Sequence, residues 1–275
     1  MRNSDITVYE DIDWRTLWQN SRKQKSWRSK DAEGWDRKAS SFAERNQQSP
    51  YAHLFISRLP LAPEYTVLDI GCGPGTIALP IARHVQKVTA VDYSQKMLDL
   101  LAEEAQKTHI SNITTVHCAW EDDWHSCGIS PADIAIASRS MNVADLDMAI
   151  DKLNSFAGKY VFITDRISPS PFDPDAFAAI GRPFQSGPDY IYTLNFLYNK
   201  GIHPCVEILE LDCDIHFQDE EKALQSYRWM FKELNPAEER KLAAFVSSSL
   251  VRSDTAGVTL RRRHPPRWAM IWWKK

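Results

Sequence analysis

An α/β fold built on a doubly wound, mostly parallel seven-stranded sheet is what this sequence predicts, and three observations predict it. From about residue 65 onward seven short β-like runs recur, and helical patterns stand between them. Those runs are nearly continuously apolar, as strands covered on both faces should be. Strands alternating with helices imply βαβ units, hence a parallel sheet with helices on both sides. The chain of 275 residues is long enough for one large α/β domain with additions, and 43% hydrophobic with 25% charged residues is ordinary globular composition.

The candidate strands are Thr66–Ile70, Lys87–Asp92, Ile113–Ala119, Asp133–Ser138, Lys159–Asp165, Val206–Ile215 and Arg267–Lys274. Between the second and third, SQKMLDLLAEEAQK places Met97, Leu98, Leu101, Ala102 and Ala105 on one helical face, with Ser94 as N-cap. After the first strand, Pro80 within TIALPIARHV predicts a short or bent helix, because an interior proline removes a donor and clashes with the preceding turn. Two regions break the rhythm. Residues 1–64 are polar, aromatic and helix-like, carrying Trp14, Trp18, Trp27, Trp35 and Phe42, and read as an N-terminal helical extension or lid. Residues 65–275 read as the main domain, with a helical insertion at about 216–256 formed by patterns at Glu221–Leu234 and Pro236–Val251.

Bulk properties exclude several classes. A formal net charge of −3 exerts no global pull toward nucleic acid. The opening MRNSDITVYEDIDW is too polar for a signal-peptide core, and no apolar run approaches the roughly 20 residues of a membrane helix. The five cysteines, Cys72, Cys118, Cys127, Cys205 and Cys213, are odd in number and lack a CxxC pair. They predict free thiols in a reducing cytoplasm and no structural zinc. The histidines show no H-x-x-x-H or HExxH spacing, so no metal is expected.

The most informative stretch is VLDIGCGPGTIALPIARHVQKVTAVD, residues 67–92. A dinucleotide fingerprint G-x-G-x-x-G would need glycine at position 76, which is Thr76; the glycines here are Gly71, Gly73 and Gly75. A phosphate-binding P-loop would need a Lys-Ser/Thr pair that does not follow. Asp69 precedes the glycines inside the strand, and Asp92 ends the second strand, where an ionised carboxylate can accept two ribose hydroxyls. S-adenosylmethionine carries no phosphate; it needs flat backbone, carboxylates for its hydroxyls and ammonium, and a shape that leaves the methyl exposed.

VLDIGCGPG followed by VTAVDYSQKML resembles motif I and its acidic partner in the class I S-adenosylmethionine-dependent methyltransferases. The resemblance spans about residues 35–165 and returns in RWAMIWWKK. It implies a Rossmann-like fold, S-adenosylmethionine as cofactor with S-adenosylhomocysteine as product, and methyl transfer as the activity. The cofactor candidates it marks are Asp69, Gly71, Cys72, Gly73, Gly75 and Asp92, then Tyr93, Met97, Ala119, Trp120, Glu121 and Ser138 at successive strand ends. Tyr93 and Met97 either flank the adenine or only pack the helix start. Family members often carry an aspartate for the adenine amino group where this chain has Cys118, so the backbone of Ala119 and Trp120, or Glu121, would have to serve. Ser138–Asn142 follows the fourth strand, near the transferable methyl; Arg139 there reads as a substrate-carboxylate anchor or a loop arginine. The (D/N)-P-P-(Y/F) tetrad of amino-methylating branches is missing. Upstream, WDRKASSFAERN and SPYAHLF resemble the lid helices of small-molecule methyltransferases of the ubiquinone and biotin pathways, with Trp35 or Phe42 closing over the cofactor or anchoring the helix.

His53, His203 and His264 are candidate general bases that the sequence does not choose between. Basic clusters at 20–30 and 261–267 offer a docking face for nucleic acid, a solvated surface, or an anion pocket if they meet. The expected function is methyl transfer to a small molecule. The alternatives are an RNA or protein methyltransferase using those clusters, and a non-catalytic S-adenosylmethionine-binding protein.

Overall fold

The computed structural model describes residues 8–27, 31–46, 50–254 and 257–275. Residues 1–7, 28–30 and 47–49, part of the expected N-terminal extension and of the basic run 20–30, therefore lie outside the described residues. Helices α1 (Trp14–Gln24), α2 (Ala32–Asp36), α3 (Ala39–Asn46) and α4 (Pro50–Ile56) precede β1 (Thr66–Ile70). The alternating region then runs α5 (Ala78–Ala82), β2 (Lys87–Asp92), α6 (Gln95–Lys107), β3 (Ile113–His117), β4 (Ala132–Ser138), α7 (Leu146–Phe156) and β5 (Ala157–Arg166). Thereafter come α8 (Pro174–Ile180), α9 (Tyr190–Asn199), β6 (Cys205–Glu210), β7 (Asp214–Phe217), α10 (Glu220–Arg228), α11 (Pro236–Ser248), β8 (Leu250–Asp254), β9 (Gly257–Arg261) and β10 (Arg267–Lys274). Among the described residues no helix is long and apolar enough to cross a membrane.

The main sheet has seven strands in the order β3-β2-β1-β4-β5-β10-β6, and the pairs β1–β2, β1–β4, β2–β3 and β4–β5 are parallel. Its centre is apolar: Leu68, Val88, Ile134, Ala135, Ile136, Val161 and Ile163 are fully buried. Strands are added outward from β1 on one side and then from β4 on the other, and a ligand crevice is expected outside the carboxyl ends of strands at such a switch in strand order.

Local chemistry accounts for the helices that frame that end. Ser94 accepts the Met97 N–H at 3.2 Å and so caps α6. Met97, Leu98, Leu101 and Ala105 are buried as the periodicity predicts, but Ala102 is exposed. The apolar stripe is narrower than the sequence suggested. Helix α5 is only five residues long and holds Pro80 in its first turn, where the missing N–H would have had no partner.

The chain divides into two compact units. One comprises residues 29–165, 196–209 and 269–275 and contains the main sheet with α2 to α7. The other comprises residues 1–28, 166–195 and 210–268. In that second unit β7, β9 and β8 form an antiparallel sheet. It packs with α8, α10 and α11 around Phe172, Phe177, Tyr227, Leu242 and Leu260. The expected strand Val206–Ile215 is in fact two strands in different sheets. Between them Asp212 receives the Asp214 N–H at 3.3 Å, a local turn that breaks the strand.

Candidate functional site

The site is built at the carboxyl ends of β1, β2, β3 and β4, within the sheet-containing unit. The glycine turn leaves β1 with positive φ at Gly71 (72°), Gly73 (55°) and Gly75 (87°). At Gly71 a side chain is excluded twice over: by conformation, and because a Cβ would stand 2.4 Å from Ser140 Cβ. The turn is pinned to β2 by the Gly71 and Cys72 N–H groups, which donate to Val91 O at 2.8 and 3.0 Å. Ser140, beyond β4, closes it from the other side by donating to Ile70 O at 2.7 Å.

Asp92 ties this turn to the start of α6. One carboxylate oxygen accepts the Gly73 N–H at 2.8 Å and the other the Ser94 N–H at 2.9 Å. Each oxygen keeps a further lone pair for a hydroxyl donor. Burial raises the Asp92 pKa, and the N–H bonds from Ser94 and Gly73 work against that rise.

Asp69 is different. It is 1% exposed, and neither of its oxygens has a hydrogen-bond partner among the described residues. Burial, then the charge of Asp92, pushes its pKa up to about 7. A buried carboxylate without a donor is costly, and a cationic donor placed against it would relieve that cost. Two carboxylates, one lacking donors among the described residues and one with spare lone pairs beside a glycine-rich turn, fit the ammonium and diol of S-adenosylmethionine.

Helices α2 and α3 lie over the turn. Asp36 accepts from Ser94 Oγ at 2.5 Å and from Lys96 N–H at 3.3 Å. Phe42 stands 3.8 Å from where a Gly73 Cβ would be and meets Trp35 edge-on at 5.3 Å between ring centroids. Both predicted lid aromatics thus lie together beside the turn. Tyr93 is half-buried among them, its phenol pushed up to about 12 by burial and by Asp92. Met97 is buried one turn further on.

The loop after β3 differs from expectation in one respect. Ala119 N–H already donates to Asp122 at 2.8 Å, Ala119 O accepts from Trp124 Nε1 at 3.1 Å, and Trp120 O accepts from Lys152 Nζ at 2.7 Å. These backbone groups are committed to the loop itself. Of the expected adenine partners that leaves the Trp120 N–H and the exposed Glu121 carboxylate.

Beyond β4 lies a polar network that the sequence did not reveal. The Tyr51 hydroxyl, carried in by α4 and fully buried, sits 2.7 Å from Ser138 Oγ and 2.5 Å from Thr164 Oγ1. Arg139 lies 4.1 Å over the Tyr51 ring and donates to Asn46 Oδ1 at 3.4 Å. Its φ of 58° is uncommon for a side chain of this size and costs about 1–3 kcal/mol. Its N–H holds the conformation by donating to Thr164 O and Oγ1, both at 3.0 Å. The three histidines are not part of this group: His53 and His203 are exposed, and His264 belongs to the other unit, with Nε2 3.9 Å from Asp175. A cleft of about 530 Å³ lined by Ile56, Leu61, Arg83 and Val85 precedes β1 and β2, at the opposite ends of those strands from the site.

The methyltransferase domain family matches residues 67–157. An uncharacterized protein of Haemophilus influenzae is 38% identical over 243 residues, 87% of this chain and 88% of its own. (S)-tetrahydroprotoberberine N-methyltransferase of Eschscholzia californica is 24% identical over 63% of this chain and 47% of its own length. The 23S rRNA (uracil(1939)-C(5))-methyltransferase RlmD of Alcanivorax borkumensis is 35% identical over only 60 residues, 22% of this chain and 14% of its own. Among solved structures, a putative methyltransferase from Bacillus halodurans superposes with a TM-score of 0.56 at 15% identity, over 82% of this chain and 99% of that one.

Proposed function

We propose a small-molecule methyl acceptor for this chain, which belongs to the class I S-adenosylmethionine-dependent methyltransferases. The observation that carries the acceptor class is the network of buried Tyr51 and Thr164 with half-buried Ser138 and Arg139 at the end of β4. Tyr51, brought in by α4, gathers a cation and hydroxyls within one small cluster, a scale that suits a small acceptor better than a polymer. The basic clusters give the nucleic-acid alternative little support. Arg262 is buried against Asp173 at 3.4 Å, Arg261 is bidentate on Asp214 at 2.6 Å, and Lys25 lies 4.0 Å from the centroid of the Trp27 ring.

Bound S-adenosylmethionine supplies a methyl group already activated by positive sulfur. The chain's own part is to bind, orient and exclude water. Asp69 would receive the cofactor's ammonium and Asp92 its ribose hydroxyls, while Gly71 to Gly75 give flat backbone beside both. Tyr93 and Met97 would flank the adenine, with the Trp120 N–H and Glu121 at its edge. Trp35 on α2 and Phe42 on α3 would close over the cofactor as a lid. Arg139 would anchor an acidic acceptor group. Alignment of this kind can supply roughly 7–11 kcal/mol of the barrier, so a general base, worth about 10²–10⁴-fold, is needed only for a protonated nucleophile. Five unbridged cysteines support a reducing, cytoplasmic setting.

The test is transfer of labelled methyl from S-adenosylmethionine to fractions of a cell extract. Label in the low-molecular-weight fraction supports the reading. Label in RNA or protein, with none in small metabolites, would overturn it.

A further inference from the structure

We propose that Cys118 and Cys127 are an oxidisable thiol pair, at which a peroxide is reduced and an intramolecular disulfide closes the loop after β3. Their sulfurs stand 2.8 Å apart, closer than van der Waals contact and not yet the roughly 2.05 Å of a disulfide. The intervening segment is held by its own bonds. Cys127 N–H donates to Asp123 O at 3.0 Å and Ile129 N–H to Trp124 O at 2.9 Å, in addition to the Ala119, Asp122 and Trp124 contacts above. The thiols therefore meet without a search through loop conformations.

Their exposures divide the labour. Cys118 is 4% exposed, and burial, followed by its bond to Cys127, pushes its thiol up to about 12. Cys127 is partly exposed and can meet a solute. The Cys127 thiolate attacks one peroxide oxygen; the O–O bond breaks, the other oxygen leaves as hydroxide, and Cys127 becomes a sulfenic acid. The Cys118 sulfur then attacks the Cys127 sulfur, the S–S bond forms, and the S–O bond breaks. The second oxygen departs as water with the Cys118 proton. Two thiols lose two electrons and one hydrogen peroxide gains them, yielding two waters. Because its partner is in contact, the sulfenic acid is resolved before it can reach the sulfinic state.

A metal ion is the competing occupant, since the Asp122 carboxylate joins the two sulfurs with ligand atoms within 4.8 Å of one another. The geometry favours the disulfide. Two thiolates on one tetrahedral zinc stand about 3.7 Å apart given Zn–S near 2.3 Å, and one Asp122 oxygen is already bonded to Ala119 N–H.

The experiment uses the reduced full chain, folded, treated with hydrogen peroxide, blocked with iodoacetamide and digested with trypsin. No Lys or Arg occurs from Thr108 to Ser138, so both cysteines fall in one peptide, Thr108–Arg139, which holds no other cysteine. The expected product is that peptide lighter by two hydrogens and unalkylated, with the thermal midpoint of the intact protein raised by a few degrees. Cys127→Ser should abolish both effects and Cys205→Ser neither. Recovery of the peptide with both thiols alkylated, or with a sulfinic acid and no disulfide, would overturn the proposal. So would stoichiometric zinc in the purified protein that is lost in Cys127→Ser.

Discussion

Replacing Asp69 by asparagine should stabilise the cofactor-free protein at alkaline pH while weakening its hold on the cofactor. The side chain keeps its shape and loses its charge. In the wild type the carboxyl is 1% exposed with no donor on either oxygen, and its pKa rises from 3.8 to about 7. A folded-state pKa above the unfolded one means the folded chain holds the proton more tightly. The associated stability is complete below pH 4 and is lost as pH rises through 7. At about 1.36 kcal/mol per unit, the shift sets an upper bound near 4 kcal/mol, of which about 2–3 kcal/mol falls between pH 5 and pH 8. Urea unfolding of both proteins at these two pH values, without cofactor, measures it. The difference in stability, variant minus wild type, should increase by about 2–3 kcal/mol from pH 5 to pH 8. Addition of S-adenosylhomocysteine should reverse the ranking, because the wild type alone gains a charged bond to the ammonium. A pH-independent difference, or tighter cofactor binding by the variant, would refute the assignment of Asp69.

Gly71→Ala should destabilise the fold by roughly 2–4 kcal/mol, since its Cβ would stand 2.4 Å from Ser140 Cβ at a φ of 72°. Gly73→Ala, whose Cβ would meet only Phe42 at 3.8 Å, should cost about 1 kcal/mol in stability yet impair cofactor binding; thermal melts and calorimetry separate the two effects. Hydrogen exchange should slow in α2 and α3, residues 32–46, when S-adenosylhomocysteine is added, because Trp35 and Phe42 close on it. Exchange there that ignores the ligand would make these helices fixed structure.

The glycine turn and its two flanking carboxylates were legible because their requirements are local. Gly71, Gly73 and Gly75 all take positive φ, which favours glycine, and Asp69 and Asp92 sit at fixed offsets from them along one βαβ unit. The polar network was not legible. Tyr51 and Thr164 are separated by 113 residues and meet only because α4 crosses the end of β5, while Tyr51 in isolation reads as one more aromatic. Asp36 likewise looks like a surface acid until α2 is seen to rest on the start of α6. Residues 216–256, within the second unit, read in sequence as two helices. That unit's antiparallel sheet escaped notice because β7 continues β6 in hydropathy, and only the turn at Asp212–Asp214 separates them. The pairing of Cys118 with Cys127 follows from how the loop folds on itself, which spacing alone does not encode.

Titration of S-adenosylhomocysteine into wild type and Asp92→Ala by calorimetry bears most directly on the claim that the cofactor lies along the carboxyl ends of β1 and β2. Micromolar binding to the wild type, about −8 kcal/mol, is expected, with a loss of roughly 2–4 kcal/mol in Asp92→Ala and Asp92→Asn between them, because an amide can still accept one hydroxyl. Equal affinities for all three proteins, or binding of NAD in place of S-adenosylhomocysteine, would contradict it.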